Sequence, residues 1–205
     1  MIGRKTAILG PLAFLSFVLS FLAFAAIQPG YSHTLNMISE LGMEGAPNAL
    51  AWNWIGFGLT GLLALVFAWG LRAALLPGRA ATAVAILVAI AGAGWTALGL
   101  FPASNGFQPS PATTLHFTAV GVNYLAFLAS CVVFAISLRR EPYWRPWVPF
   151  GLVMAALGLA SFFIPPAIVP PALSQRLALL VYFVWLLGLG WAALRKPRIT
   201  AARNT

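Results

Sequence analysis

The stretch TAILGPLAFLSFVLSFLAFAAIQ (Thr6–Gln28) runs for 23 residues without a charge. It then breaks into PGYSHTLNMISELGMEGAPN (Pro29–Asn48), the longest polar interruption in the chain. A helix crosses a bilayer with about 20 apolar residues at about 1.5 Å each, so the first part is long enough to span. MIGRK ahead of it and Ala23-Phe24-Ala25 near its end resemble a secretory signal with a cleavage site. The apolar run is longer than a usual signal core, however, and we read it as a retained first span. Pro29–Asn48 holds two of the three acidic residues, Glu40 and Glu44, and one of the two histidines, His33.

The rest of the chain repeats this pattern. Of its 205 residues 61% are hydrophobic and 7% charged, and the mean hydropathy is +0.91. Soluble domains carry about 25% charged residues, so the fold class is an all-α polytopic membrane protein forming one domain over residues 1–205. The predicted spans are 6–28, 49–71, 80–100, 115–138, 147–164 and 174–194. The single cysteine, Cys131, lies inside an apolar run and reads as a small buried residue.

The net charge of +9 is a topology signal and not a nucleic-acid footprint. Arg4 and Lys5, Arg72 and Arg79, Arg139, Arg140 and Arg145, and Arg195, Lys196, Arg198 and Arg203 all fall at one side of the spans; only Arg176 falls at the other. By the positive-inside rule both termini are cytoplasmic, in the cell (inner) membrane. Trp69, Trp144, Trp147 and Trp191 then map to the inner boundary and Trp52, Trp54 and Trp95 to the outer one. Trp185 lies well inside span six and needs a partner for its indole N–H on a neighbouring helix. No acidic residue lies within a span, which removes the carboxylate relay of a proton-driven pump.

Chemistry is therefore sought on the outer face. At 100° per residue, Leu35, Met37, Ile38 and Leu41 share one arc while His33, Asn36, Ser39 and Glu40 share the other. This predicts an amphipathic helix of about three turns between Ser32 and Gly42. His116 opens span four, capped by Thr113 or Thr114. Asn123 lies seven residues on, on the same helix face, which should turn toward the bundle. Arg176 either snorkels to outer headgroups or pairs with Glu40 or Glu44. The candidate outer site is thus Tyr31, His33, Asn36, Ser39, Glu40, Asn53, His116, Asn123 and Arg176.

Gly30-Tyr31-Ser32-His33, Ile38-Ser39-Glu40-Leu41-Gly42 and Gly45-Ala46-Pro47-Asn48 resemble the first outer loop of a prokaryotic six-span family known as domain of unknown function 998 (DUF998). Gly99-Leu100-Phe101-Pro102, Leu115-His116 and Gln175-Arg176 extend the likeness over essentially the whole chain. Where members of that family often carry an acidic residue after Phe-Pro, this chain has Ala103-Ser104-Asn105. The resemblance implies the fold and topology and brings no established activity.

Three functional readings follow. In the first, the outer end binds a membrane lipid or other amphiphile, with apolar walls under a polar rim and Arg176 facing a phosphate or carboxylate head. In the second, His33, Glu40 and His116 hold a metal, most simply zinc, that activates water for hydrolysis; no short-spaced ligand motif supports it. In the third, the protein is an accessory subunit beside other membrane subunits.

Overall fold

The computed structural model describes residues 5–75 and 78–197. Arg4, Arg198 and Arg203 lie outside the described residues. Six helices are long and apolar enough to cross a membrane: α1 (Thr6–Ile27), α2 (Ala49–Ala74), α3 (Arg79–Leu100), α4 (Pro111–Leu138), α5 (Arg145–Phe163) and α6 (Pro171–Arg195). No strand occurs among the described residues. This is a multi-pass membrane protein. Each helix packs on the next, and α6 returns to α1 and also touches α2, closing the ring. Lys5, Arg72, Arg79, Arg139, Arg140, Arg145, Arg195 and Lys196 sit at one end of the ring, the basic end. The connections 28–48, 101–110 and 164–170 sit at the other, the loop end.

Rings fill the middle of the bundle. Phe17 of α1 stacks on Phe183 of α6, with centroids 4.2 Å apart, and meets Trp95 of α3 edge-on at 5.6 Å. Such geometries add to area burial because ring edges carry positive and ring faces negative charge. The Trp185 indole N–H donates to Ser130 Oγ of α4 at 2.9 Å, supplying the interhelical partner its depth requires. The boundary assignment of the other tryptophans holds only in part. Trp54, Trp69 and Trp191 are exposed at the bundle surface, but Trp52, Trp95 and Trp144 are fully buried. A six-helix ring needs large side chains at its centre, and that demand takes these three indoles away from the interface.

Close helix contacts use glycine. A Cβ at Gly92 of α3 would come within 2.6 Å of the Leu65 backbone nitrogen of α2, and one at Gly61 within 2.5 Å of the Thr96 nitrogen. Tight backbone approach of this kind is what holds helices together where lipid removes the hydrophobic drive. Just above that contact α2 widens into a π-helical segment, Asn53–Leu59. The wider turn releases carbonyls from the regular ladder, and side chains collect them. Trp95 Nε1 donates to Gly56 O at 3.0 Å and Thr60 Oγ1 to Ile55 O at 3.3 Å.

The polar connection 28–48 does not form the expected three-turn amphipathic helix. It makes turns through Asn36 and then a five-residue 3-10 helix, Ile38–Gly42. Local side chains outcompete the helical ladder: Asn36 Oδ1 accepts the Ser32 N–H at 2.8 Å, and Glu40 Oε1 accepts the Met37 N–H at 2.7 Å. Asn and acidic side chains at such spacings offer the backbone an alternative partner. Leu35, assigned to the apolar arc, is consequently exposed, while Ile38, Leu41 and Met43 are buried against the bundle. Helix α4 also begins earlier than expected. Ser110 caps it by accepting the Thr113 N–H at 3.0 Å, and Pro111 stands at its first turn, a favoured pairing at helix starts.

Candidate functional site

Two structures occupy the loop end: a polar latch that pins connection 28–48, and an apolar cavity beside it. The latch is built on Arg176, one turn into α6. Its Nη1 donates to Asn36 O at 3.0 Å and to Ala172 O at 2.7 Å, and its Nη2 donates to the Tyr31 hydroxyl at 2.8 Å. The guanidinium also stands over the Phe21 and Tyr31 rings, at 5.4 and 5.8 Å from their centroids. A planar five-donor fork can bond forward and stack sideways at once, which an ammonium cannot do. The Tyr31 hydroxyl in turn donates a hydrogen bond to Met37 O at 3.3 Å. Asn36 Nδ2 donates to Glu40 Oε2 at 2.7 Å. Beside Arg176, Gln175 accepts the Ile38 N–H at 2.7 Å and reaches Ser39 Oγ at 3.4 Å. Among the described residues no ion pair joins Arg176 to Glu40 or Glu44; the cation is held by neutral oxygens and rings.

Burial raises the Tyr31 phenol to about 12 against the opposing pull of the Arg176 charge, from an ordinary value near 10. A folded pKa above the unfolded one means that the folded state holds the proton longer. The Tyr31 contribution to stability is therefore complete below pH 10 and is lost as pH rises toward 12. We expect an ultraviolet absorbance titration of the wild type to show a tyrosine step near pH 12 that the Tyr31→Phe protein lacks.

The cavity lies between α4, α5 and α6 at the loop end and measures about 750 Å³. Phe57 of α2 with Trp95 and Leu98 of α3 form its back wall, and Met37, Ile38 and Ser39 edge it from above. Leu128 of α4 and Leu179 of α6 are the lining residues farthest from the loop end on those helices. Its rim is formed by Leu125, Phe162 and Phe163, each about seven-tenths exposed on the lipid-facing surface. Few polar groups interrupt this lining. Tyr124 of α4 bonds Ser161 Oγ of α5 at 3.0 Å and also donates to Gly158 O, tying the two helices across the opening.

The expected site residues divide among these places. Tyr31, Asn36 and Glu40 belong to the latch and to a shallow polar depression of about 240 Å³ that Glu44 and Asn105 also line. Ser39, His116 and Asn123 line the apolar cavity. His116 is buried, with Nδ1 bonded to Phe101 O at 2.9 Å, and Asn123 donates to Ala91 O at 2.8 Å, so both face the bundle. Asn53 is buried and donates to Gly42 O at 2.9 Å, fastening the end of the connection to α2. His33 is exposed and packs edge-on to Phe21 and Tyr31 at 5.5 and 5.6 Å. Arg176, His33 and Asn53 line neither space.

The proposed zinc set is not assembled. His116 lies in the cavity wall, Glu40 has its two oxygens on Met37 N–H and Asn36, and His33 rests on the aromatic surface. Among the described residues no three His, Cys, Asp or Glu side chains come together in a way that could hold a metal ion. Sequence reasoning also passed over residues that shape the site. Gln175 was visible as the polar neighbour of Arg176. Tyr124 and Ser161 were visible only as isolated polar residues in apolar spans, with nothing to pair them.

A family model described as "Protein of unknown function (DUF998)" matches residues 11–192. No curated protein and no solved structure matches the chain.

Proposed function

We propose that this chain, which belongs to the DUF998 family, is a membrane protein that binds a lipid or other amphiphile in the cavity between α4, α5 and α6. The observation that carries this reading is the cavity itself. Its volume of about 750 Å³ falls in the range of about 300–1,000 Å³ typical of small-molecule sites, and its walls are mostly apolar with a few polar groups, as such sites are. Exposed Leu125, Phe162 and Phe163 at the rim suit entry from the hydrocarbon phase. The eight described basic residues at the opposite end support an extracytoplasmic position for the cavity and for connection 28–48, in the cytoplasmic membrane. Arg176 serves this function as the anchor of the connection and not as a headgroup ligand.

Gly121 gives the test. It lines the cavity, and a Cβ there meets nothing within 4 Å. Gly121→Trp therefore introduces an indole into the space from a position whose first added carbon is unobstructed, and Gly121→Ala controls for the loss of glycine. Native mass spectrometry of gently purified protein should show retained lipid on the wild type and on Gly121→Ala. On Gly121→Trp it should fall about tenfold or more, the equivalent of ~1.4 kcal/mol in affinity. Equal retention by all three proteins would overturn the reading.

A further inference from the structure

Resting on the cavity reading above, we propose that the ligand is an uncharged lipid whose head is an alcohol, a hydrogen-bond donor, received at His116. None of the residues lining the cavity is Asp, Glu, Lys or Arg. A phosphate or carboxylate drawn inside would be stripped of water with no counter-charge to meet it, a cost that buried ions escape only by pairing. Arg176, next in sequence to the lining residue Gln175, is bonded to Tyr31, Asn36 O and Ala172 O and does not line the space.

The polar groups of the wall narrow the class further. Most of their donors are already engaged: Asn123 Nδ2 on Ala91 O, the Tyr124 hydroxyl on Gly158 O, the Ser161 hydroxyl on Gly158 O at 2.7 Å; the Ser174 hydroxyl is buried without a partner. Gln175 holds the Ile38 N–H and Ser39. A carbonyl can only accept, so the bond from His116 Nδ1 to Phe101 O places the ring proton on Nδ1. Nε2 is then a lone pair, an acceptor without a donor of its own. The Asn123 carbonyl oxygen is likewise an acceptor. A wall whose free groups are these acceptors and the Ser174 hydroxyl favours an alcohol, which can both donate and accept, over an ester or ketone, which can only accept. It favours either of these over an ion.

Lipid-depleted full-length protein in detergent is offered three probes with one acyl chain: 1-palmitoylglycerol, methyl palmitate and 1-palmitoyl lysophosphatidic acid. A fourth, the long-chain prenol undecaprenol, separates an isoprenoid source from an acylglycerol one. Bound fractions are read by native mass spectrometry. We expect at least one of the two alcohols to exceed lysophosphatidic acid by about tenfold or more. The better alcohol should also exceed methyl palmitate by about fivefold, and His116→Phe should erase that second margin while Gly121→Trp abolishes binding of every probe. Binding of lysophosphatidic acid or methyl palmitate equal to the alcohols, with Gly121→Trp still blocking all probes, overturns the alcohol assignment and leaves the cavity reading standing. Probe binding that Gly121→Trp does not alter overturns both. An unchanged margin in His116→Phe removes His116 as the receiving group and overturns the inference as stated.

Discussion

Arg176→Ala is expected to release connection 28–48 from the bundle and to lower stability by about 2–4 kcal/mol, the worth of two or three hydrogen bonds from a charged donor in a half-buried place. The substitution removes the donors to Asn36 O, Ala172 O and the Tyr31 hydroxyl together with the cation over Phe21 and Tyr31. These contacts cross about 140 residues of sequence and join α6 to a segment with little regular structure of its own. Gln175 and Asn53 remain as fastenings, at Ile38 and Gly42, so the protein should still fold. Limited proteolysis should then cut within 29–37, and the unfolding midpoint in detergent should drop. Arg176→Lys should recover less than half of the loss, because one ammonium cannot both bridge two oxygens and stack between rings. An Arg176→Ala protein as protease-resistant and heat-stable as the wild type would show that the latch contributes nothing. Because Met37–Ser39 edge the cavity, the same variant should also hold its lipid less long.

How much of this was readable beforehand depends on what each feature rests on. The six spans rest on hydropathy alone, a property of contiguous residues, and the helices observed match the expected stretches to within a few residues. The inward face of α4 was legible because His116 and Asn123 stand two turns apart, and a polar stripe has nowhere else to go in lipid. The shape of connection 28–48 was not, because periodicity cannot see that Asn36 and Glu40 bond the backbone N–H groups of Ser32 and Met37. Trp52, Trp95 and Trp144 misled for a related reason. The interfacial preference of indole is an average, and packing at the centre of a small ring overrides it.

The cavity was the least legible part. It depends on how α4, α5 and α6 are spaced at the loop end, and no residue type encodes a spacing. The role of Arg176 was half visible. A lone cation at the loop end marks a place where something is held, but its identity as an anchor followed only from seeing which oxygens lie within its reach.

Gly99→Val should be strongly damaging, because it strikes the π-helical segment that carries part of the back of the cavity. A Cβ at Gly99 would lie 2.3 Å from Asn53 O and 3.2 Å from the Asn53 carbonyl carbon. These are backbone atoms and cannot rotate aside. Overpacking a well-filled core costs about 1–3 kcal/mol, and more where the obstacle is main chain. Relief requires α2 to move away from α3, which would withdraw Gly56 O from the Trp95 indole at 3.0 Å. A buried N–H left without a partner adds about 1–3 kcal/mol. Phe57, Trp95 and Leu98 would move with it, and these three make the back wall. We therefore expect Gly99→Val to cost roughly 3–5 kcal/mol in total, read as a lower unfolding midpoint and a smaller monodisperse fraction in detergent, together with loss of retained lipid. Gly121→Ala, where the added methyl meets nothing, should stay within about 0.5 kcal/mol of the wild type and keep its lipid. A Gly99→Val protein as stable as Gly121→Ala would mean that the α2–α3 contact is not set by backbone approach. The π-helical turn would then be a local irregularity and not the element that aims Phe57 at the cavity.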